Sequence, residues 1–246
     1  MGDVSRETPS APPVTPAVAR RGFSSARLPL IEAYAASLAD AGVIRGLIGP
    51  REVPRLWERH LLNCAVLGDA IPEGSTVCDI GSGAGLPGLV LAIARPDLRL
   101  TLVEPLLRRT TYLSEVVDEL DLAHVEVVRG RADALHGERT FDVVTSRAVA
   151  PLGRLLDWSM PLVGPSGALI AMKGQSATDE IAAEAPRLAR AGCSPAEVLE
   201  LGTAVVSPPS VVVRVAWADP SKVGWVGAPG QTSPRSKSRR SRGRKA

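Results

Sequence analysis

Aromatic residues are scarce in this sequence, at 3% of 246 residues. The core of the folded chain must therefore consist mainly of aliphatic side chains. Cysteine is also rare, and Cys64, Cys78 and Cys193 are far apart and form no C-x-x-C pair. This pattern excludes the common cysteine-based metal motifs, so we expect no metal, and it favours a reducing compartment, the cytoplasm.

Long hydrophobic runs are missing as well. No apolar stretch approaches the roughly 18 residues that cross a bilayer. Residues 1–20 contain four prolines and no apolar segment. We therefore expect neither membrane association nor a secretory signal.

Acidic residues are absent from the C-terminal end of the chain. From Lys222 onward there are 8 basic residues and no acidic ones, whereas the other 21 basic and 26 acidic residues give the rest a net charge of −5. A basic segment of this kind favours contact with nucleic acid. The mildly acidic body would need a local basic patch to bind RNA.

Composition divides the chain into three parts. Residues 1–21, rich in Pro, Ala, Ser and Thr, and residues 227–246, a basic tail rich in Ser and Arg, show no hydrophobic periodicity. Both are predicted to be disordered. Residues 22–226 are predicted to form one domain, which we expect to be monomeric.

This domain begins with helices and continues with alternating strands and helices. Leu30, Ile31, Tyr34 and Leu38 recur at helical spacing, and a second helix is predicted after Pro54. Later helices are predicted at 89–94, 106–120, 151–160 and 178–191. Strands are predicted at 76–80, 100–103, 125–128, 141–145, 168–172, 197–201 and 211–215.

Apolar strands that alternate with helices indicate a parallel sheet covered on both faces. The last two strands have no helix between them and can pair only as an antiparallel hairpin at the edge. The predicted fold is therefore α/β: the Rossmann-like, seven-stranded pattern of class I S-adenosylmethionine-dependent methyltransferases, with an N-terminal helical extension. The six-stranded dinucleotide-binding pattern fits less well.

A glycine-rich turn carries the strongest local signal. Residues 77–88 read V-C-D-I-G-S-G-A-G-L-P-G and join the first predicted strand to a helix. Its glycines, which include Gly81, Gly83 and Gly85, permit positive φ angles and a close approach of ligand to backbone. The helix N-terminus offers free N–H groups. Because residues 83–88 also satisfy G-x-G-x-x-G, a dinucleotide is an alternative ligand.

Three carboxylates lie near strand ends, where ligands bind in such sheets. Glu104 ends the second strand and can accept hydrogen bonds from the ribose hydroxyls of either kind of nucleoside. Asp79, near the end of the first strand, can face a cationic ligand, and Asp133, after the third strand, can contact an adenine amino group. With the terminal hairpin, Asp79 and Asp133 favour S-adenosylmethionine over NAD.

Several motifs follow one another along the chain and resemble those of a known family. They are Trp57–Asn63 (W-E-R-H-L-L-N), Asp79–Gly88, Arg95-Pro96, Glu104 with Arg108 and Arg109, Ser146-Arg147-Ala148 and Lys173-Gly174. The family is the bacterial small-subunit ribosomal RNA guanine-N7 methyltransferases, RsmG, also called glucose-inhibited division protein B (GidB). The family commonly has Asp where this chain has Asn63, so no role is assigned to a charge at that position.

The resemblance implies transfer of a methyl group from S-adenosylmethionine to N7 of a guanine in the decoding-region loop of 16S rRNA. The substrate would be this RNA, free or within the small ribosomal subunit or its precursor. The implied cofactor contacts are Gly81, Leu86, Ala132, Asp133 and Arg147, with Glu104 at the ribose, and the glycine-rich turn adds Gly83 and Gly85. The RNA-binding candidates are Arg59, His60 and Lys173.

The expected chemistry requires no catalytic base. Guanine N7 carries a lone pair and no proton, so catalysis reduces to placing N7 against the methyl group, with Arg147 as a candidate for positioning. Alternatively, Arg147 forms an ion pair with Glu104 or Asp133. Arg51, Arg55 and Arg59, spaced four apart, form either a phosphate-contacting stripe or a solvated face.

Two alternative functions remain open at this point. One is a methyltransferase of the same fold that acts on a small molecule or a protein. The other is a dinucleotide-binding, NAD-dependent module.

Overall fold

A seven-stranded sheet forms the centre of the structure, a computed structural model that describes residues 14–225. The strands are β1 (Thr76–Ile80), β2 (Arg99–Glu104), β3 (Val125–Arg129), β4 (Phe141–Arg147), β5 (Val163–Met172), β6 (Glu197–Leu201) and β7 (Ser210–Ala216). Their order is β3-β2-β1-β4-β5-β7-β6. Strands β1 to β5 are parallel, and β7 runs antiparallel to both β5 and β6. The predicted α/β fold and the terminal hairpin are confirmed.

Strand β5 is longer than predicted, because it begins at Val163 and not at Ala168. The apolar pattern does not extend into its first half, because Gly164, Pro165 and Gly167 interrupt it. A Cβ atom on Gly167 would lie 2.7 Å from the carbonyl oxygen of Asp142. Glycine therefore allows the backbones of β4 and β5 to approach closely, next to an irregularity in their register.

Seven α-helices accompany the sheet in the described part of the chain. They are α1 (Ala19–Gly22), α2 (Leu28–Ser37), α3 (Leu62–Ala65), α4 (Gly88–Ala94), α5 (Leu107–Glu119), α6 (Leu152–Ser159) and α7 (Ala177–Arg190). The four helices predicted from residue 89 onward, α4 to α7, are confirmed within one or two residues at each end. None of the helices within residues 14–225 is long and apolar enough to cross a membrane.

Helical turns of several kinds occupy residues 50–70. A 3₁₀ turn (Pro50–Arg55), a π turn (Leu56–Leu61), α3 and a second 3₁₀ turn (Val66–Ala70) follow one another. The helix predicted after Pro54 therefore begins earlier, at Pro50. Since Pro54 has no N–H to donate, the regular α-helical hydrogen-bond pattern cannot continue through it.

The predicted boundary at residue 22 falls too late. Helix α1 lies partly within the segment 1–21 that was predicted to be disordered, and its Ala19 is fully buried. Arg21 donates a hydrogen bond to the carbonyl of Ala204, at 2.8 Å. A four-residue helix carries too little periodicity to be recognised from sequence. Residues 1–13 and the predicted basic tail, 227–246, lie outside the described residues.

The core is aliphatic, as predicted, and lies on both faces of the sheet. Neighbouring residues of β1 point to opposite faces. Val77 packs with the N-terminal helices, α4 and α5, whereas Cys78 packs with α6 and the strands on that side. Tyr34 and Tyr112 are the largest fully buried side chains. The N-terminal extension, the helical residues 19–70 that precede β1, is thus part of one of the two core layers.

Candidate active site

The glycine-rich turn lies at the carboxyl end of β1, as predicted. Gly81 and Gly83 have φ angles of +69° and +58°, which favour glycine over residues with a side chain. The amide of Gly81 donates to the carbonyl of Val103 on the neighbouring strand, at 2.8 Å. The turn therefore folds over the end of β2 before α4 begins at Gly88.

Glu104 holds this turn through its carboxylate. Its side chain is only 1% exposed. It accepts hydrogen bonds from the amide of Gly83, at 3.1 Å, and from the amide of Leu106, at 3.0 Å. Arg109 lies 3.4 Å from the same carboxylate. Glu104 is thus fixed at the junction of the turn, β2 and α5.

Asp79 does not face a ligand, contrary to the sequence-based expectation. It is fully buried beneath the turn, and its Oδ2 accepts from the amide of Gly88 at 3.0 Å. Within residues 14–225, its Oδ1 has no hydrogen-bond partner. Burial raises the pKa of Asp79 to about 7. The carboxyl group therefore anchors the start of α4.

Gly85 was predicted to leave room for the ligand, and the structure assigns that space to packing instead. A Cβ atom there would overlap Leu89 and lie 2.9 Å from the hydroxyl oxygen of Tyr34. Gly85 does not line the adjacent cavity. The glycine is needed because the N-terminal extension and α4 press against the turn from behind.

A cavity of about 590 Å³ opens in front of the turn. Seven of the eight predicted cofactor residues line it, all except Gly85. They are Gly81, Gly83, Leu86, Glu104, Ala132, Asp133 and Arg147. Leu47 and Ile48 from the N-terminal extension, Leu106 from the start of α5 and Trp158 from α6 add apolar walls. The sequence pattern gave no sign of these four residues.

Arg147 forms neither of the ion pairs considered from the sequence. Its Nη2 lies 2.5 Å from Nδ1 of His60, and its Nη1 donates to Sγ of Cys64 at 3.3 Å. Glu104 pairs with Arg109 instead, and Asp133 pairs with Arg131 at 3.5 Å. Arg147 therefore connects the end of β4 to the N-terminal extension.

His60 is held from both sides. Its Nε2 lies 2.8 Å from Oε2 of Glu52, a residue that sequence reasoning did not identify. Burial and the positive charge of Arg147 lower the pKa of His60. His60 lines the cavity and not the groove described next, so the structure groups it with the cofactor candidates.

A second depression, a groove of about 1040 Å³, lies on the other side of Arg147. Its lining includes Arg55, Arg59 and Lys173, whereas Arg51 is not part of it. The side chain of Arg59 is 57% exposed. Lys173 is mostly buried and pairs with Glu180 at 2.7 Å. Counting Arg147, four basic side chains line the groove, against two acidic ones, Glu58 and Glu180.

The cavity and the groove share Arg147 and Ala148. Ala148 has a φ of +53°, a left-handed conformation that is uncommon for alanine. The backbone therefore turns sharply after Arg147. One guanidinium consequently lies between two depressions, one lined by the glycine-rich turn and the other by basic residues.

The residues of the cavity fit S-adenosylmethionine. Its volume lies within the range of about 300–1,000 Å³ that is typical of small-molecule sites. A carboxylate has roughly four lone-pair positions, and Glu104 uses only part of them on the Gly83 and Leu106 amides and on Arg109. The remaining position can accept a ribose hydroxyl. Leu106 and Trp158 provide apolar surface for an adenine ring.

Comparison with known proteins agrees with this arrangement. The family model described as GidB, rRNA small subunit methyltransferase G, matches residues 27–205. A protein named ribosomal RNA small subunit methyltransferase G from Nocardioides sp. is 66% identical over 91% of this chain and 88% of its own. The protein of the same name from Thermobifida fusca is 50% identical over 94% of this chain and 98% of its own.

Among solved structures, the crystal structure of M. jannaschii TYW2 in complex with AdoMet is similar in fold. It has a TM-score of 0.51 and 17% identity, and the match covers 65% of this chain and 76% of that one. The fold and the site define an S-adenosylmethionine-dependent methyltransferase of the Rossmann-like class. More particularly, the chain belongs to the GidB family, rRNA small subunit methyltransferase G. Membership of this family contradicts the alternative of a dinucleotide-binding, NAD-dependent module.

Proposed function

We propose that this enzyme methylates N7 of a guanine in the decoding-region loop of 16S rRNA, as a monomer in the cytoplasm. The family and the names of its relatives support small-subunit ribosomal RNA as the substrate. The observation that carries the proposal is the meeting of the cavity and the basic groove at Arg147 and Ala148. A methyl donor in the cavity and a base reached from the groove would meet there.

The cofactor would occupy the cavity. Gly81, Gly83 and Leu86 would contact it through the glycine-rich turn, and Glu104 would accept a ribose hydroxyl. Ala132 and Asp133 would lie at its adenine end, because they follow the third strand and line the same cavity. Bound S-adenosylmethionine supplies a methyl group on a positively charged sulfur, which is activated for transfer.

The RNA would approach through the groove. Arg55 and Arg59 present exposed guanidinium groups that can contact phosphates. Lys173 lies deeper, where it donates to the carbonyl of Ala150 at 3.1 Å as well as pairing with Glu180. Its role would be to shape the groove near Arg147 and not to reach out to a distant phosphate.

The residues around Arg147 suit a reaction without a base. N7 of guanine has no proton to lose, so the protein has to orient the base and exclude water. His60 is engaged on both ring nitrogens. Burial raises the pKa of the Cys64 thiol, which keeps it protonated. Neither group is therefore available as a nucleophile or base, which fits a reaction that needs only positioning of the two substrates.

The decisive experiment maps 7-methylguanine in 16S rRNA from cells with and without the gene. We expect one methylated guanine in the decoding-region loop to disappear on deletion and to return with the wild-type gene. Purified enzyme, given naked 16S rRNA and unmethylated small subunits separately, shows which form is the substrate. An unchanged methylation map would contradict the proposal and favour a small-molecule or protein substrate.

Arg147→Ala provides the matched test of the site. We expect methyl transfer to fall on the order of 100-fold, because the base and the methyl group lose their alignment. Arg190→Ala, which removes an exposed arginine at the end of α7 outside both depressions, is the control. Full activity in folded Arg147→Ala protein would contradict the meeting of the two sites at this residue.

A further inference from the structure

Three side chains form a continuous hydrogen-bonded chain behind the point where the cavity and the groove meet. Oε2 of Glu52 lies 2.8 Å from Nε2 of His60, and Nδ1 of His60 lies 2.5 Å from Nη2 of Arg147. Glu52 and His60 belong to the N-terminal extension, whereas Arg147 ends β4. This series of hydrogen bonds thus links two separate parts of the fold.

The chemistry of the three groups fixes the position of each proton. A guanidinium has only donors, so Nδ1 of His60 must accept from Arg147. The histidine proton then lies on Nε2 and is donated to the carboxylate of Glu52. His60 is therefore neutral and in a single tautomer. A protonated His60 would point an N–H at the N–H of Arg147, and this contact would be lost.

The charged groups that face His60 are Glu52 and Arg59 from its own helical run and Arg147 from β4. Burial lowers the pKa of His60 most, and the positive charge of Arg147 lowers it further. Glu52 acts in the opposite direction, through its hydrogen bond and its charge. The other oxygen of Glu52, Oε1, lies 3.4 Å from Nη1 of Arg59, so the carboxylate is held in place.

We propose that Glu52 is a positioning residue for methyl transfer: through the Nε2–H tautomer of neutral His60, it holds the guanidinium of Arg147 between the cavity and the groove. The inference rests on the proposed function. Glu52 itself lines neither depression, so it acts on them through the two side chains it contacts, His60 and Arg59. The Arg59 contact bears on RNA affinity and hence on KM, whereas the His60 contact bears on the position of Arg147 and hence on kcat. The role of Glu52 is then to reduce the freedom of Arg147 before the substrates bind.

The two simplest changes at Glu52 have different expected effects. Glu52→Ala removes the acceptor of the Nε2 proton, which frees the tautomer and lets Arg147 move. We expect kcat to fall about 10- to 100-fold, with a smaller change in KM. In Glu52→Gln the amide oxygen can still accept from Nε2–H, so kcat at pH 8 should stay within about threefold of the wild type.

The pH dependence separates positioning from a merely structural role. Because the carboxylate of Glu52 favours the charged imidazolium, Glu52→Gln should lower the pKa of His60. The acidic limb of the activity profile should then move to lower pH. Loss of a purely structural contact would change stability without moving this limb.

The experiment uses the full chain and unmethylated small ribosomal subunits. Methyl transfer is measured from pH 5 to 8.5 for wild type, Glu52→Gln, Glu52→Ala and the control Glu32→Gln, an exposed glutamate of α2. Binding of S-adenosylhomocysteine and thermal unfolding confirm that each variant is folded. Nitrogen NMR of the histidine rings reports the tautomer and pKa of His60 independently of any RNA.

The outcomes are distinct. A tenfold or larger loss of kcat in Glu52→Ala, recovery in Glu52→Gln and an Nε2–H tautomer in the wild type support the proposal. Wild-type kcat in Glu52→Ala, or an Nδ1–H tautomer in the wild type, overturns it while leaving the proposed function intact. If wild-type enzyme leaves the small-subunit RNA unmethylated, the proposed function fails, and the positioning role fails with it.

Discussion

The hydroxyl of Tyr34 donates a hydrogen bond to the carbonyl of Ala84 across an oxygen–oxygen distance of 2.6 Å. Tyr34 lies on α2 and Ala84 in the glycine-rich turn, so this bond ties the N-terminal extension to the back of the cavity. The tyrosine is fully buried, and burial raises its pKa well above the usual value. It therefore stays a donor throughout the accessible pH range.

Tyr34→Phe should lower the free energy of unfolding by about 1–3 kcal/mol, because the carbonyl of Ala84 loses its buried donor. The affinity for S-adenosylhomocysteine should fall severalfold, since the turn is less firmly held. Urea unfolding and calorimetry measure the two effects. The neighbouring Tyr112→Phe, which affects a bond to Ser37 away from the turn, should change stability alone. Equal affinities for both variants would refute the link between Tyr34 and the cavity.

Glu104→Ala should weaken S-adenosylmethionine binding by one to two orders of magnitude, the scale expected for the loss of hydrogen bonds to a charged acceptor. The structure adds that the Gly83 amide loses its partner as well. Calorimetric titration measures the affinity, and Glu126→Ala on β3, outside the cavity, serves as control. Normal affinity in Glu104→Ala would contradict the placement of the ribose.

Valine substitutions at Gly83 and Gly85 should have different effects. Gly85→Val should destabilise or unfold the protein, because the new side chain overlaps Leu89 and Tyr34. A Cβ atom on Gly83 would meet the carbonyl oxygen of Gly81 at an ordinary contact distance of 3.8 Å, but φ there is +58°. Gly83→Val should therefore fold with a cost of about 1–2 kcal/mol and lose cofactor affinity. Thermal unfolding and cofactor titration separate the two. Loss of affinity at full stability in Gly85→Val would restore the direct cofactor contact predicted from the sequence.

Asp79 should make the stability of the protein depend on pH. Its pKa of about 7 in the folded protein exceeds the usual value near 4 in an unfolded chain. The folded state therefore binds the proton more tightly, and stability falls as pH rises through 7. Relative to Asp79→Asn, the wild type should lose about 2–3 kcal/mol between pH 5 and pH 8. Urea unfolding at the two values tests this, and parallel pH profiles for both proteins would contradict it.

The sequence predicted the sheet, and it predicted a set of residues of which most line one cavity, because both depend on local patterns. Short apolar segments, most of them alternating with helical ones, predicted all seven strands. Seven of the eight cofactor candidates line one cavity. Each of those residues lies at a strand end or in the turn, and parallel strands end at the same edge. The early part of β5 was missed because glycines and a proline interrupt its apolar pattern.

Contacts between distant residues were beyond the reach of local patterns. His60 and Arg147 are 87 positions apart in the chain, and no spacing rule links them. Asp79 and Gly85 were assigned to the ligand because residue type alone does not say which side of a turn a side chain faces. Glu52 went unnoticed, since an exposed-looking glutamate beside arginines usually indicates a solvated helix face.

The N-terminal extension supplies walls to both depressions, through Leu47, Ile48 and His60 on one side and Arg55 and Arg59 on the other. In protein-engineering terms, the extension is not a detachable module. A chimaera that grafts it onto another seven-stranded methyltransferase core would separate His60 from Arg147. It would also separate the Tyr34 hydroxyl from the Ala84 carbonyl that accepts its hydrogen bond. Exchanging substrate preference between relatives therefore requires transferring the extension, the glycine-rich turn and the end of β4 together.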